Sequence, residues 1–262
     1  MKISFFHVGI ATCLIMINEN IKIAIDPALS PQGTSMTFKS FVSERTTPPK
    51  LNDDLFEHID LWLITHLHQD HCDEYGVKKI EKNVPIIMHP NHVANFQHFS
   101  SLPLSWGETQ SFHFIDCEVS ITAVPAYHGN SWVMRKLVGV VNGYILKISN
   151  ERENFFIYFT SDTVYHKNII KFVKSAFSKI DLLVANLGEV GSEKIGGPLT
   201  MSVSMLEHFA EELHPNLIIP VHIDDMSHYT TIKSDLTIRG FNTINSGLWH
   251  TIYPAHDHVN FK

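Results

Sequence analysis

Apolar side chains come in short runs over the first twenty-five residues. Positions 2–8 and 11–17 are apolar, and Ile21-Lys22-Ile23-Ala24-Ile25 alternates. Runs of this length bounded by turn residues predict strands, and Asn18-Glu19-Asn20 supplies turn chemistry for a hairpin between the second and third. Asp26-Pro27 ends the third strand. The segment 28–58, with Pro31, Gly33, Pro48 and Pro49, is polar and irregular and reads as a long surface loop, a feature that is usually functional or mobile when it sits inside a compact domain. Residues 59–65 form a continuous apolar run suited to a buried strand that feeds directly into His66. Beyond it the pattern predicts a helix at 73–82, a strand at 85–88 and a second helix starting near Pro90. Strands are expected at 118–124, 139–148, 154–160, 181–187 and 216–221, with helices at 167–177 and 201–213. In the last helix Val203, Leu206, Phe209, Ala210 and Leu213 share one face, as packing on a sheet requires. Strands lead and helices fall between the later ones, an order that fits two sheets between helical layers better than a doubly wound sheet. A single domain over 1–262 is expected, with no repeat or linker.

Composition narrows the partners. A hydrophobic content of 44% supports a sizeable core, and the low charged content of 18% points to much sheet. The formal charge of −7 gives no pull towards nucleic acid or anionic lipid. A basic insertion of the kind an RNA-processing nuclease needs is missing, and so is an amphipathic docking element of the kind a phospholipase needs. A small-molecule substrate is expected, with no nucleic acid and no membrane partner. No apolar stretch reaches the length of a membrane span, and the opening residues, which include His7, Gly9 and Thr12, read as strands rather than a signal peptide. Cys13, Cys72 and Cys117 form no CxxC pair, so a reducing compartment, the cytoplasm, is expected.

The 18 histidines change the picture, because some of them cluster. In Thr65-His66-Leu67-His68-Gln69-Asp70-His71, extended backbone puts residues i and i+2 on one side, so His66 and His68 can grip one ion just after a buried strand. Asp70 and His71 lie where the chain must turn and can face a neighbouring site. Three imidazoles and a carboxylate suit zinc, manganese or iron. Four residues do not complete two sites, so further ligands should stand at the ends of later strands. His128 in Ala126-Tyr127-His128-Gly129, Asp162 in Thr160-Ser161-Asp162-Thr163 and His222 in Ile219-Pro220-Val221-His222 are placed that way.

An HxHxDH motif followed by a distant His, Asp and His resembles the metallo-β-lactamase superfamily. Gly9-Ile10-Ala11-Thr12, Ile25-Asp26-Pro27, Gly196-Gly197-Pro198-Leu199-Thr200-Met201 and Pro220-Val221-His222 extend the likeness. They are similar to the branch containing ascorbate-6-phosphate lactonase-like and N-acyl phosphatidylethanolamine phospholipase D-like proteins. The resemblance implies an α/β (α+β) fold, a four-layer αββα sandwich with two metals at one edge. His66, His68 and His128 would hold the first metal, Asp70, His71 and His222 the second, and Asp162 would bridge them. Asp26 looks like the acid that orients metal-bound groups. Two divalent ions are implied, zinc first, with manganese or iron as alternatives. Two departures stand out: Ile10 replaces a histidine common in this branch, and Ser161 replaces a glycine.

The reaction expected is hydrolysis of a lactone, ester, amide or phosphoester by a metal-bound hydroxide. Asp70 could accept the nucleophile's proton, and His228, in Asp224-Asp225-Met226-Ser227-His228, is a second catalytic candidate. The alternatives are a dinuclear-iron redox protein, in which the position of His68 is typically a glutamate, and a non-catalytic metal-binding module. His89, His92 and His98 read as solvated, as do His256 and His258 in a tail; Cys72 reads as a small buried side chain, and Tyr127 as pocket wall or core.

Overall fold

The computed structural model describes residues 1–39, 41–192 and 197–254. Gly196, His256 and His258 lie outside the described residues. Two compact units interleave along the sequence. The first takes Met1–Pro103, Asp224–His228 and the chain from Ile244; the second takes Leu104–Ile223 and Tyr229–Thr243.

In the first unit β1 (Ile3–Gly9), β2 (Thr12–Ile17) and β3 (Ile21–Ile25) form an antiparallel meander. The expected hairpin closes β2 onto β3 through Asn18, Glu19 and Asn20, with Asn18 at φ 50°, Glu19 at φ 63° and the Asn20 N–H donating to Ile17 O at 3.1 Å. β4 (Ser35–Thr37) and β5 (Val42–Glu44) make a small hairpin inside the segment read as an irregular loop. β6 (Leu61–Leu63), β7 (Pro85–Met88) and β8 (Ser100–Pro103) then add to β3 in parallel. The whole sheet runs β17-β1-β2-β3-β6-β7-β8, with β17 (Trp249–Tyr253) pairing antiparallel to β1. Phe6, Leu14, Trp62, Ile86 and Met88 form one apolar cluster, where Phe56 stacks on Trp62 at 5.6 Å.

Two helices differ from expectation. The 73–82 helix is a single turn, α1 (Glu74–Val77), capped by Asp73. The stretch from Pro90 to Phe96 is a 3-10 helix rather than an α-helix. In the first case Gly76, a weak helix former, stands inside the turn and packs closely on the Pro27 backbone.

In the second unit the sheet runs β16-β13-β12-β11-β10-β9. Its strands are β9 (Thr109–His113), β10 (Glu118–Ala126), β11 (Val141–Ser149), β12 (Asn154–Phe159), β13 (Leu182–Asn186) and β16 (Leu217–Val221). A short pair, β14 (Gly191–Ser192) and β15 (Gly197–Pro198), stands apart from it. Four helices accompany the sheet: α2 (Trp132–Val138), α3 (Lys167–Ala176), α4 (Val203–Leu213) and α5 (Lys233–Ile238). α3 buries Ile169, Ile170 and Val173, α4 buries Leu206 and Phe209, and α5 buries Leu236, all in one cluster with Val124, Ile145, Tyr158 and Leu183. Fully burying one such side chain contributes about 1.5–3 kcal/mol, so this face dominates the unit's stability. α2 buries none of its residues. β10 and β12 each run antiparallel to β11, and β13 and β16 run parallel to β12. The carboxyl ends of β10, β12, β13 and β16 therefore share one sheet edge. No described helix is long and apolar enough to cross a membrane.

Asp73 ties α1 to the end of β3. One carboxylate oxygen accepts the Gly76 N–H (2.7 Å), the other accepts that of Ser30 (2.7 Å), and the Asp73 N–H donates to Pro27 O (3.0 Å). A Cβ on Gly76 would fall 1.9 Å from Pro27 O. Gly76→Ala must therefore push α1 away from the chain next to Asp26, and we expect a loss of about 1–3 kcal/mol, as for overpacking elsewhere. Urea unfolding measures it; an unchanged midpoint would show that the contact is not tight.

Candidate metal centre

Every sequence-selected ligand stands just beyond a strand's carboxyl end. In the first unit, parallel pairing of β3 with β6 sets Ile25 opposite Leu63 and brings Asp26 beside Thr65. Asp26 Oδ1 accepts the Thr65 N–H at 2.8 Å. Its Oδ2 accepts the Thr65 hydroxyl at 2.7 Å and meets His71 Nδ1 at 2.7 Å, with both side chains buried. A carboxylate only accepts, so His71 Nδ1 carries the proton and Nε2 keeps the lone pair. The Thr65 hydroxyl spends its one proton on Asp26, so towards His66 Nδ1, at 3.0 Å, it accepts. His66 therefore also presents a lone pair at Nε2, which lies 3.0 Å from His68 Nδ1. The His71 and Cys72 N–H groups donate back to His68 O, making the turn that buries Asp70.

His228 belongs to the same unit. Its Nε2 is 4.0 Å from Asp70 Oδ2 and its Nδ1 is 2.6 Å from Ser43 Oγ. Its ring lies 5.1 Å from Phe38 and 5.0 Å from Phe41, two rings that stack on each other on the β4–β5 hairpin.

In the second unit His128, Asp162 and His222 follow β10, β12 and β16 on their common edge. His128 Nδ1 faces Leu199 O at 2.8 Å, and His222 Nδ1 faces Leu187 O at 3.1 Å. Carbonyls only accept, so both imidazoles also keep their lone pair at Nε2. The Asp162 carboxylate lies between them. Its Oδ2 is 3.7 Å from His128 Nε2, and its Oδ1 is 3.7 Å from His222 Nε2. That spacing is too long for a hydrogen bond but suits two ligands sharing an ion at about 2.0–2.2 Å from each. Asn186, at the end of β13, donates to Asp162 Oδ1 at 3.3 Å.

Each unit thus gathers its own His and Asp donors beyond its strands: His66, His68, Asp70 and His71 in the first, and His128, Asp162 and His222 in the second. These are candidate His/Asp metal sites. A family model for the beta-lactamase superfamily domain matches residues 22–223. The chain belongs to the beta-lactamase superfamily. It is 22% identical over 222 residues to the UPF0173 protein YddR of Bacillus subtilis, covering 83% of this chain and 84% of that one. It is 28% identical over 205 residues to a UPF0173 metal-dependent hydrolase of Pyrococcus furiosus, covering 77% and 76%. A crystal structure of a possible metal-dependent hydrolase from Veillonella parvula superposes with a TM-score of 0.80 at 20% identity, over 96% of this chain and all (100%) of that one. The fold is that of the metallo-β-lactamases.

The donor set of this superfamily member fits divalent ions on its own chemistry, because with Nδ1 committed to an acceptor the nitrogen left to a ligating, neutral imidazole is Nε2. Burial pushes the Cys13 thiol well up, and nearby Asp26 adds to the effect. Cys72, where burial is again the main cause, is also raised. Both stay neutral thiols and poor ligands. His89 caps Asn91 and sits beside His92, away from the groups above, while His98 is exposed. Tyr127 packs on the second unit's core, with Arg135 over its ring at 4.3 Å. Thr65, Asn186 and Tyr229, whose hydroxyl hydrogen-bonds His222 Nε2, were not selected from the sequence. Thr65 opens the histidine motif and Asn186 ends an apolar run, and those positions were the available signals.

The two departures from the superfamily's pattern both fall in left-handed backbone, Ile10 at φ 53° and Ser161 at φ 55°. Asp26 (49°) and His222 (63°) share that conformation. Non-glycine residues there cost about 1–2 kcal/mol each, and such strain collects at functional sites. Ile10 is buried, and its N–H donates to Asp225 Oδ2 at 2.7 Å. Ser161 is buried with no hydrogen-bond partner for its hydroxyl among the described residues. Ser161→Gly should relieve the strain at the cost of extra unfolded-chain entropy, a net gain on the order of 0.5–1 kcal/mol. A chemical denaturation curve shifted to lower midpoint would contradict this account.

Proposed function

We propose that this chain is a hydrolase of small molecules that works with two divalent ions, zinc first and manganese or iron as alternatives. The Asp162 carboxylate carries the reading, because its two oxygens each face the lone pair of a different imidazole at 3.7 Å. In this reading His66, His68 and His128 hold one ion and Asp70, His71 and His222 the other, with Asp162 shared by both. The relatives' names as metal-dependent hydrolases support the reaction class. Bound ions would supply an acidified water and positive charge for a developing oxyanion.

The chain's own residues do the rest. Asp26 and Thr65 lock His71 and His66 in one tautomer and orientation, which keeps the ligand lone pairs aimed without motion. Asp70 Oδ2, 4.0 Å from His228 Nε2, forms with it a carboxylate–imidazole pair through which a proton can leave the nucleophile and reach a departing group. Ser43, through its contact with His228 Nδ1, holds that ring in place. The net charge of −7 favours a small substrate over nucleic acid, and the three free thiols suit the cytoplasm.

Elemental analysis of protein purified without added metal, paired with lactone, carboxylic ester, phosphomonoester and phosphodiester assays, tests the proposal. About two equivalents of zinc or manganese and chelator-sensitive turnover are expected. Two equivalents of iron without hydrolysis would replace it with redox chemistry; protein that neither holds nor takes up metal would remove it. Asp162→Ala is expected to lose metal and turnover together by at least tenfold, and full retention of both would exclude a shared carboxylate.

A further inference from the structure

The tip of the β4–β5 hairpin carries apolar residues where such turns are ordinarily polar. Phe38 and Phe41 flank it, and the Phe38 N–H donates to Phe41 O at 2.9 Å. Polar contacts hold the hairpin without these rings. The Thr37 N–H donates to Gln69 Oε1 at 2.8 Å, and the Glu44 N–H to Ser227 Oγ at 3.0 Å. The Ser227 N–H returns to Glu44 O at 2.9 Å, and the Thr46 N–H reaches Asp225 O at 2.8 Å. At the base the buried Arg45 donates from Nη1 to Ala28 O at 2.9 Å. Phe56 and Phe99 join the apolar cluster around Trp62, whereas Phe38 and Phe41 pack on each other and against His228. Their own planes stack at 4.8 Å and 17°. Phe38 also meets His68 edge-on, at 6.1 Å and 82°, which carries the aromatic surface up to the histidine motif. Both phenyl rings are only half-buried, so part of that surface stays open to a ligand.

We propose that Phe38 and Phe41 form an aromatic subsite beside His68 and His228, and that it receives an apolar aryl group attached to the carbonyl or phosphoryl centre of the substrate. The proposal rests on the hydrolase reading above and narrows its substrate class to aryl-bearing molecules. Exposed apolar surface rimmed by polar groups marks a binding site, and small-molecule sites join aromatic walls to a few polar groups that fix orientation. Ring pairs attract when stacked or edge-on with centroids about 4.5–7 Å apart. The contacts of Phe38 and Phe41 with each other, with His228 and of Phe38 with His68 all fall in that range. An incoming aryl ring therefore meets faces and edges already arranged for it. A flexible alkyl chain filling the same space would lose more rotamer freedom on binding, which favours the aryl group.

The probes are phenylphosphonate and methylphosphonate, which share one anionic head and differ in the ring. Full-length parent and a Phe38→Ala, Phe41→Ala double variant are loaded with Zn²⁺, their zinc content is measured, and each phosphonate is titrated by calorimetry. The parent should bind phenylphosphonate about tenfold more tightly than methylphosphonate, or more, as burial of a ring against apolar surface predicts; this comparison needs no variant. In the double variant the ratio should fall towards one, with zinc content and methylphosphonate affinity unchanged. A zinc-loaded parent that binds neither phosphonate, or both alike, would overturn the subsite and leave the metal reading standing. So would a variant that keeps the parent's ratio. A variant that loses zinc and methylphosphonate as well would show that the rings serve the fold, and would overturn the subsite too. A parent that takes up no zinc would remove both readings.

Discussion

Imidazole offers its lone pair at one nitrogen only, and what holds the other nitrogen decides which. In this chain the choice is made four times in the same way. His66 Nδ1 meets the Thr65 hydroxyl, His71 Nδ1 meets Asp26, His128 Nδ1 meets Leu199 O and His222 Nδ1 meets Leu187 O. Each acceptor belongs to a strand end or to the backbone just beyond one. A freely rotating histidine would lose rotamer entropy and a tautomer preference on binding an ion; these have met that cost on folding. Asp26 matters most, because one carboxylate serves the Thr65 N–H, the Thr65 hydroxyl and His71 together. Removing it would disturb two ligands at once, which gives a physical reason for an acid outside the ligand set.

Strain is the counterpart of this fixed aim. Asp26, Ser161 and His222 all adopt left-handed backbone at the point where a strand stops and a side chain must turn over the sheet edge. At about 1–2 kcal/mol each, three such residues would threaten a domain whose net stability is about 5–15 kcal/mol. The neighbouring strands supply the offset. β13 is buried along its whole length, and β12 at every residue but its first, Asn154. Burial of a single large apolar side chain matches one strained residue. The site is tolerable because it sits at the ends of the most deeply buried strands rather than on a free loop.

The same contrast explains what the sequence revealed. Central strands such as β2, β12 and β13 appear as apolar runs, β3 as an alternation, and α4 as a clean amphipathic face, because burial dictates their residues. The strands not anticipated, β8, β9 and β17, are the outermost of their sheets, where half-exposed positions accept Ser, Thr, Gln and His and the period fades. α2 buries nothing and α5 only Leu236, so neither leaves a stripe to detect. The β4–β5 hairpin escaped for a related reason: only its middle positions, Met36 and Ser43, are buried. Among site residues, histidine and aspartate declare themselves by type and spacing. Thr65, Asn186 and Tyr229 are ordinary residue types whose roles come from parallel pairing or from a turn, and no single-sequence pattern records which strand lies beside which.

That difference bears on how the substrate is chosen. Ligands at strand ends place positive charge where an oxyanion can develop, and the same charge serves an acyl carbon or a phosphorus. A ligand set alone therefore discriminates poorly between the two, and selectivity must come from groups that touch the remainder of the molecule. Such groups sit on segments where burial constrains residue type least. In the first unit the hairpin that sets Phe38 and Phe41 against His228 has this character, with both rings only half-buried. In the second unit the turn through Gly188 and Tyr229 is buried instead, and there one glycine decides whether a phenol fits beside His222. A change at the hairpin leaves every imidazole's acceptor in place, whereas a side chain at Gly188 would press on His222 Nδ1 itself. A chain can thus keep the superfamily's chemistry intact and still differ from its relatives in what it hydrolyses.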